Sequence, residues 1–161
     1  PIDPATARRV VLCSGKVYFD LLEQRRAEAI DDVAIVRVEQ LYPWPAEEYA
    51  AILRRYQNAR DVVWCQEEPQ NQGAWYQIRH RLQENLSSKD VLLYAGRAGA
   101  AAPATGIYQL HVAEQQRLVN SALRGTAVQT THRDTARLTS TSTSTSAPAP
   151  ASRKPLSRKN A

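Results

Sequence analysis

Four short apolar runs, each followed by a stretch with helical periodicity, leave this 161-residue chain few folds to choose from. The runs are Arg9 to Cys13 (RVVLC), Val33 to Val38 (VAIVRV), Val62 to Cys65 (VVWC) and Val91 to Tyr94 (VLLY). They are rich in β-branched and aromatic residues and lack polar alternation, which predicts strands buried on both faces. Between them, apolar positions recur at helical spacing: Val17, Leu21, Leu22 and Ala29; Tyr49, Ile52, Leu53 and Tyr56; Trp75, Ile78, Leu82 and Leu86; and Val112, Val119 and Ala122, with the amide Gln115 on the same face. Pro45, with Glu47 and Glu48 after it, marks the second helix start, and Asn58 its end. Strictly alternating strands and helices predict an α/β domain, a mostly parallel sheet with helices on both faces.

Charge divides the chain. Residues 1 to 123 carry 14 Lys or Arg against 15 Asp or Glu, whereas residues 124 to 161 carry seven basic residues against the single acid Asp134. Little in that second stretch can be buried: it contains TSTSTSAPAPAS and almost no apolar residues beyond Leu138 and Leu156. Residues 124 to 161 are therefore read as a disordered basic tail, residues 1 to 8 as a linker, and residues 9 to 123 as the folded domain. The tail lacks aromatic residues on which bases could stack, so no nucleic-acid partner is expected. No run approaches a membrane span, and no membrane partner is expected either. The chain begins at Pro1 rather than Met, which reads as a piece of something longer.

A parallel sheet brings the ends of its strands to one edge, where open α/β sheets bind ligands. Polar residues collect there: Ser14, Gly15 and Lys16; Glu39 and Gln40; Gln66, Glu67 and Glu68; Gly96 and Arg97. Ser14, Gly15 and Lys16 enter a helix, where free N–H groups, a hydroxyl and an ammonium suit an anion; a serine cap with a solvent-facing lysine is the alternative. Neither GxxxxGK[ST] nor GxGxxG is present.

Glu67 and Glu68 are candidates for acid and base work, but adjacent strand residues point apart. A salt bridge to Arg79, Arg81 or Arg97, or an interface contact, is the favoured reading. Pro69, Asn71, Gln72 and Gly73 form a turn before the helix that begins near Trp75. Cys13 and Cys65 each end an apolar run with no CxxC and no ligand-spaced histidine, which disfavours a metal site and a secreted disulfide. His80, His111 and His132 are scattered, so no nucleophilic triad is legible. Trp64 and Trp75 read as core or interface rings, and Trp44, between two prolines, as an anchor for another surface.

Five segments in order, CSGKVYFDLLEQRR from Cys13, VAIVRVEQLYPWP from Val33, VVWCQEEPQNQGAW from Val62, YAGR from Tyr94 and AAPATG from Ala101, resemble the C-terminal domain of the E1 component of 2-oxoglutarate dehydrogenase. The resemblance covers residues 9 to 123. It implies a transketolase C-terminal-like three-layer α/β/α sandwich with a five-stranded mixed sheet, whose one antiparallel strand would lie before Pro1 or within residues 2 to 7. It also implies that the first and third strands are neighbours, with Cys13 near Cys65.

The intact family enzyme is a homodimer that uses thiamine diphosphate and Mg2+ to decarboxylate 2-oxoglutarate and passes the succinyl group to the lipoyl arm of an E2 partner, in a complex with E3. Its cofactor motifs belong to earlier domains, so no catalytic, cofactor-binding or metal-binding residue is expected here. The implied role is dimer completion and regulation, with Ser14, Gly15, Lys16 and Arg97 as candidates for a nucleotide or acyl-CoA effector site. Gln66, Glu67, Glu68, Asn71, Gln72, Gly73 and Trp75 are then an interface or pocket signature, and the location is bacterial cytoplasm or mitochondrial matrix. The competing expectation is a free-standing module that binds an anionic metabolite.

Overall fold

A computed structural model of the chain describes residues 2–103, 106–125 and 128–129. Its elements follow in the order β1 (Arg9–Cys13), α1 (Val17–Ala27), β2 (Val33–Arg37), α2 (Ala46–Arg55), β3 (Asp61–Pro69), α3 (Trp75–Gln83), β4 (Val91–Arg97), α4 (Tyr108–Arg124) and β5 (Val128–Gln129). The sheet order is β2-β1-β3-β4-β5. The first four strands are mutually parallel, and Cys13 pairs in register with Cys65.

Strand pleating sorts the core into two layers. Val11, Cys13, Val63, Cys65, Leu93 and Ala95 pack with Val17 and Leu21 of α1 and with Leu118, Val119, Ala122 and Leu123 of α4. Val10, Leu12, Val62, Trp64, Leu92 and Tyr94 pack on the other face with Tyr49 of α2 and with Trp75, Ile78 and Leu82 of α3. Both faces of every central strand are covered, which is why these runs show no polar alternation.

The antiparallel strand of this sheet follows α4, and of the two positions expected for one, before Pro1 or within residues 2–7, the second is not a strand. Residues 2–7 contain no strand; Asp3 organises them as a turn, its carbonyl accepting from the N–H groups of Thr6 and Ala7 at 3.2 Å. Instead, α4 ends at Gly125, whose φ of +98° is a left-handed conformation that glycine adopts without steric cost. The chain then returns to the sheet as β5, antiparallel to β4. Val128 and Gln129 thus pair with the sheet although they fall in the stretch read as a disordered tail; residues 130–161 of that stretch lie outside the described residues.

Other boundaries moved for local reasons. Ala29, assigned to the first helix, lies beyond it at φ +51°, and α2 stops at Arg55 rather than Asn58. In α4, Leu118 and Leu123 join Val119 and Ala122 in the core, while Val112 is exposed.

Arg9, inside an apolar run, is a buried charge that hydropathy does not reveal. Its side chain is 3% exposed, its Nη2 donates to Asp61 Oδ2 at 2.5 Å, and its Nη1 donates to the carbonyl of Ala122 at 2.9 Å. One guanidinium thereby ties the start of β1 to β3 and to the carbonyls that end α4.

Candidate functional site

Two corrections to the strands define the edge that carries the site. β3 does not stop at Cys65 but runs through Gln66, Glu67 and Glu68 to Pro69, with a register shift between Cys65 and Pro69. β4 likewise includes Gly96 and Arg97. Their polarity predicts strand ends, but the ladder continues through them and their side chains alternate between faces.

Gln66 faces α3 and is buried at 3% exposure. Its Oε1 accepts from Trp64 Nε1 at 2.9 Å and from the backbone N–H of Trp75 at 3.0 Å. Its Nε2 donates to the carbonyls of Glu68 and Pro69, each at 3.2 Å. Both amide atoms are thus used, and the bond to Trp75 serves a helix start that has no side-chain cap of its own.

Glu67 faces α1 and α4. Its Oε1 accepts from Lys16 Nζ at 2.6 Å and from Gln115 Nε2 at 2.9 Å. Gln115 also donates to Asp20 Oδ2 at 2.7 Å and accepts from Arg97 Nη2 at 3.1 Å. Arg97, with 9% of its side chain exposed, donates to the Glu67 carbonyl at 2.5 Å and lies 3.3 Å from His111 Nδ1. Its Nε is 3.1 Å from Glu114 Oε2 without the alignment of a hydrogen bond. Lys16, Glu67, Gln115 and Arg97 form one continuous polar network across the start of α1, β3, β4 and α4.

The four residues expected to hold an anion are therefore divided. Lys16 and Arg97 belong to the network, and each is already matched by a carboxylate: Glu67 and, at 3.7 Å, Asp20 for Lys16, and Glu114 for Arg97. The hydrogen bond it donates to Glu67 holds the Lys16 ammonium above its ordinary pKa. Gly15 has a φ of +75°, and its N–H donates to Glu39 Oε1 at 3.1 Å. That N–H, with Arg37 beside it, holds the Glu39 carboxyl below its ordinary pKa.

Glu68 lies on the opposite face from Glu67, exposed, so the two carboxylates do not form an acid and base pair. The Glu67 carboxylate does not pair with the arginines proposed for it: Arg97 reaches only its backbone carbonyl and lies against Glu114, Arg81 pairs with Glu84, and Arg79 lies over the Tyr76 ring.

On the α2 and α3 side, a cleft of about 650 Å³ opens between the ends of β1 and β3. Ser14, Gly15, Leu41, Tyr42, Gln72 and Gln77 are among its walls, Trp64 and Gln66 belong to its lining, and Glu68 is its one ionisable carboxylate. This is the switch point of the sheet, where neighbouring strands send their helices to opposite faces. Asn71 is not part of its lining, and Gln72 reaches past it. They hold the loop after β4, Asn71 exchanging hydrogen bonds with the backbone of Ala100 at 2.9 and 3.0 Å and Gln72 donating to the Ala100 carbonyl at 2.7 Å. The small residues of that loop allow this close approach. Trp44 turns inward, edge-on to Tyr49 at 5.5 Å, and the exposed ring of its loop is Tyr42.

Asp20, His111, Glu114 and Gln115 escaped sequence reasoning, although Gln115 carried a signal: an amide on the apolar face of a helix needs buried partners. The cysteines are inert groups in this setting. Both are free and fully buried; burial pushes the Cys13 thiol up to about 12 and raises Cys65 in the same direction. Among the described residues no cluster of three His, Cys, Asp or Glu is placed to hold a metal ion, and no helix is long and apolar enough to cross a membrane.

Comparison with known proteins complements this geometry. The family model described as 2-oxoglutarate dehydrogenase C-terminal matches residues 2–123. The 2-oxoglutarate dehydrogenase E1 component of Haemophilus influenzae is 52% identical over 122 residues, covering 76% of this chain and 13% of that protein. The E1 component of Azotobacter vinelandii is 52% identical over 124 residues, and that of Coxiella burnetii 51% over 123, with 75% of this chain and 13% of the relative covered in both cases. The chain thus spans about 13% of the length of the curated relatives it matches.

Proposed function

The chain belongs to the 2-oxoglutarate dehydrogenase C-terminal family, and we propose from that membership that it is the C-terminal, dimer-completing and regulatory part of an E1 component. In this reading the intact E1 is a homodimer that decarboxylates 2-oxoglutarate and succinylates the lipoyl group of E2 in a complex with E3, in bacterial cytoplasm or the mitochondrial matrix. The observation that carries the reading is the 52% identity to E1 components across the folded domain.

Thiamine diphosphate and Mg2+ do not fit the described residues. A magnesium diphosphate needs several oxygen ligands and free cations, whereas the cleft offers neutral amides and one carboxylate, and Lys16 and Arg97 are already paired. The chain alone is accordingly proposed to be inactive, with the cofactor held by other parts of E1. Its own residues supply scaffold. Gln66 and Arg9 fix where helices meet strands, and the Lys16 to Arg97 network ties the start of α1 to β3, β4 and α4.

An effector anion at Ser14, Gly15, Lys16 and Arg97 remains part of the proposal. It would compete with Glu39 for the Gly15 N–H and with Glu67 for Lys16, so binding to the isolated chain should be weak. Titration of AMP or acetyl-CoA into the chain and its Lys16→Ala variant tests this directly: lower affinity in the variant supports the site, and equal affinity removes Lys16 from it.

A further inference from the structure

Scattered exposed apolar residues are ordinary on a soluble domain; their concentration at one place is not. Among the described residues, every exposed large apolar side chain lies at the carboxyl edge of the parallel strands. Tyr42, 94% exposed, is in the loop entering α2. Phe19 and Tyr76 are in the first turns of α1 and α3. Ile107, Tyr108, Leu110 and Val112 occupy the start of α4, with Ile107 64% and Tyr108 80% exposed. The opposite edge has none of these. It is closed by the ion pairs Arg8 with Asp32, Arg9 with Asp61 and Arg60 with Asp90.

We propose that the carboxyl edge is the face on which this domain docks against the remainder of its own E1 polypeptide. This rests on the reading above that the chain is part of an E1. Three observations select that occupant. The matched relatives are far longer than this chain, which aligns with only 13% of them, so a large covalently attached surface is available. The basic side chains Lys16, Arg97 and Arg37 at the edge are matched by Glu67, Glu114 and Glu39, so the partner surface needs to bring apolar area rather than acidic groups. The exposed groups include three tyrosines, side chains that bury much area at low entropic cost and keep a hydroxyl for polar contacts, as interface cores favour.

Hydroxyl-radical labelling of Tyr42, Tyr76 and Tyr108, read by mass spectrometry, tests the proposal on this chain and on the complete polypeptide in parallel. The complete polypeptide is measured both as a dimer and after dilution to the monomer. Labelling of Tyr42 and Tyr108 is expected to fall about fivefold or more in the complete polypeptide at both concentrations, as for rings removed from solvent. Equal labelling in chain and complete polypeptide would overturn the proposal. Protection that disappears on dilution would overturn it too, assigning the face to a second copy. Absence of 2-oxoglutarate decarboxylation by the complete polypeptide would defeat the functional reading, a separate result that leaves the labelling comparison intact.

Discussion

Gly73 lies against the amide of Gln66 so closely that a Cβ on Gly73 would stand 2.2 Å from Gln66 Nε2. The Gln66 side chain cannot give way cheaply, because its oxygen holds Trp64 and the start of α3 and its nitrogen holds two carbonyls. Gly73→Ala should cost roughly 1–3 kcal/mol as an overpacking change. Gln66→Leu should cost roughly 2–4 kcal/mol, since it orphans a buried indole N–H and a helix N–H together. In a Gln66→Ala background, with the obstructing amide gone, Gly73→Ala should become nearly neutral. Urea denaturation of wild type, Gly73→Ala, Gln66→Ala and the double variant measures this coupling, and additive costs would show that the two residues act independently.

Arg9 offers a second test at the opposite edge. Arg9→Leu keeps apolar bulk but leaves Asp61 and the Ala122 carbonyl without their donor, so a loss of about 2–3 kcal/mol is expected. Gly125→Ala should cost about 1–2 kcal/mol through its left-handed φ of +98°, with Arg9 Nη2 3.0 Å from the added carbon. Thermal unfolding of both variants checks these values; wild-type stability in Arg9→Leu would mean that the buried guanidinium contributes no net stabilisation.

The thiols predict an alkaline limit. Burial raises the native pKa of Cys13 to about 12 and moves Cys65, Tyr49 and Tyr94 upward from their ordinary values. Between about pH 9 and 12 the native state therefore holds more protons than the unfolded one. The stabilisation these groups provide is complete below the ordinary thiol value and is lost as pH rises, by about 1.4 kcal/mol per pH unit for each group that titrates only on unfolding. Chemical denaturation at pH 8, 9 and 10 should show declining stability. At pH 8 the native chain should leave a disulfide thiol reagent unreacted and expose both cysteines only on denaturation; rapid labelling of the native chain would contradict their burial.

Long-range hydrophobic pattern carried most of the fold. RVVLC, VAIVRV, VVWC and VLLY are all strands, and because each is covered on both faces the pattern is insensitive to which helix covers it. Polarity misled where it was satisfied inside the sheet. Gln66 and Arg97 read as loop residues, yet their partners come from segments distant in sequence, which no local pattern reports. The position of the antiparallel strand was missed for a related reason: a two-residue strand defined by pairing to β4 has no period of its own. Ser14, Gly15 and Lys16 follow the end of β1 as their sequence position implies, but the carboxylates that match two of them, Glu39 on Gly15 and Glu67 on Lys16, become visible only once β1, β2 and β3 are side by side.

The most direct measurement compares carbon dioxide release from 2-oxoglutarate by this chain and by the complete polypeptide, each supplied with thiamine diphosphate and Mg2+. Release by the complete polypeptide, with none above background from this chain, is the predicted result. Release by this chain alone would contradict its assignment as a non-catalytic part of E1.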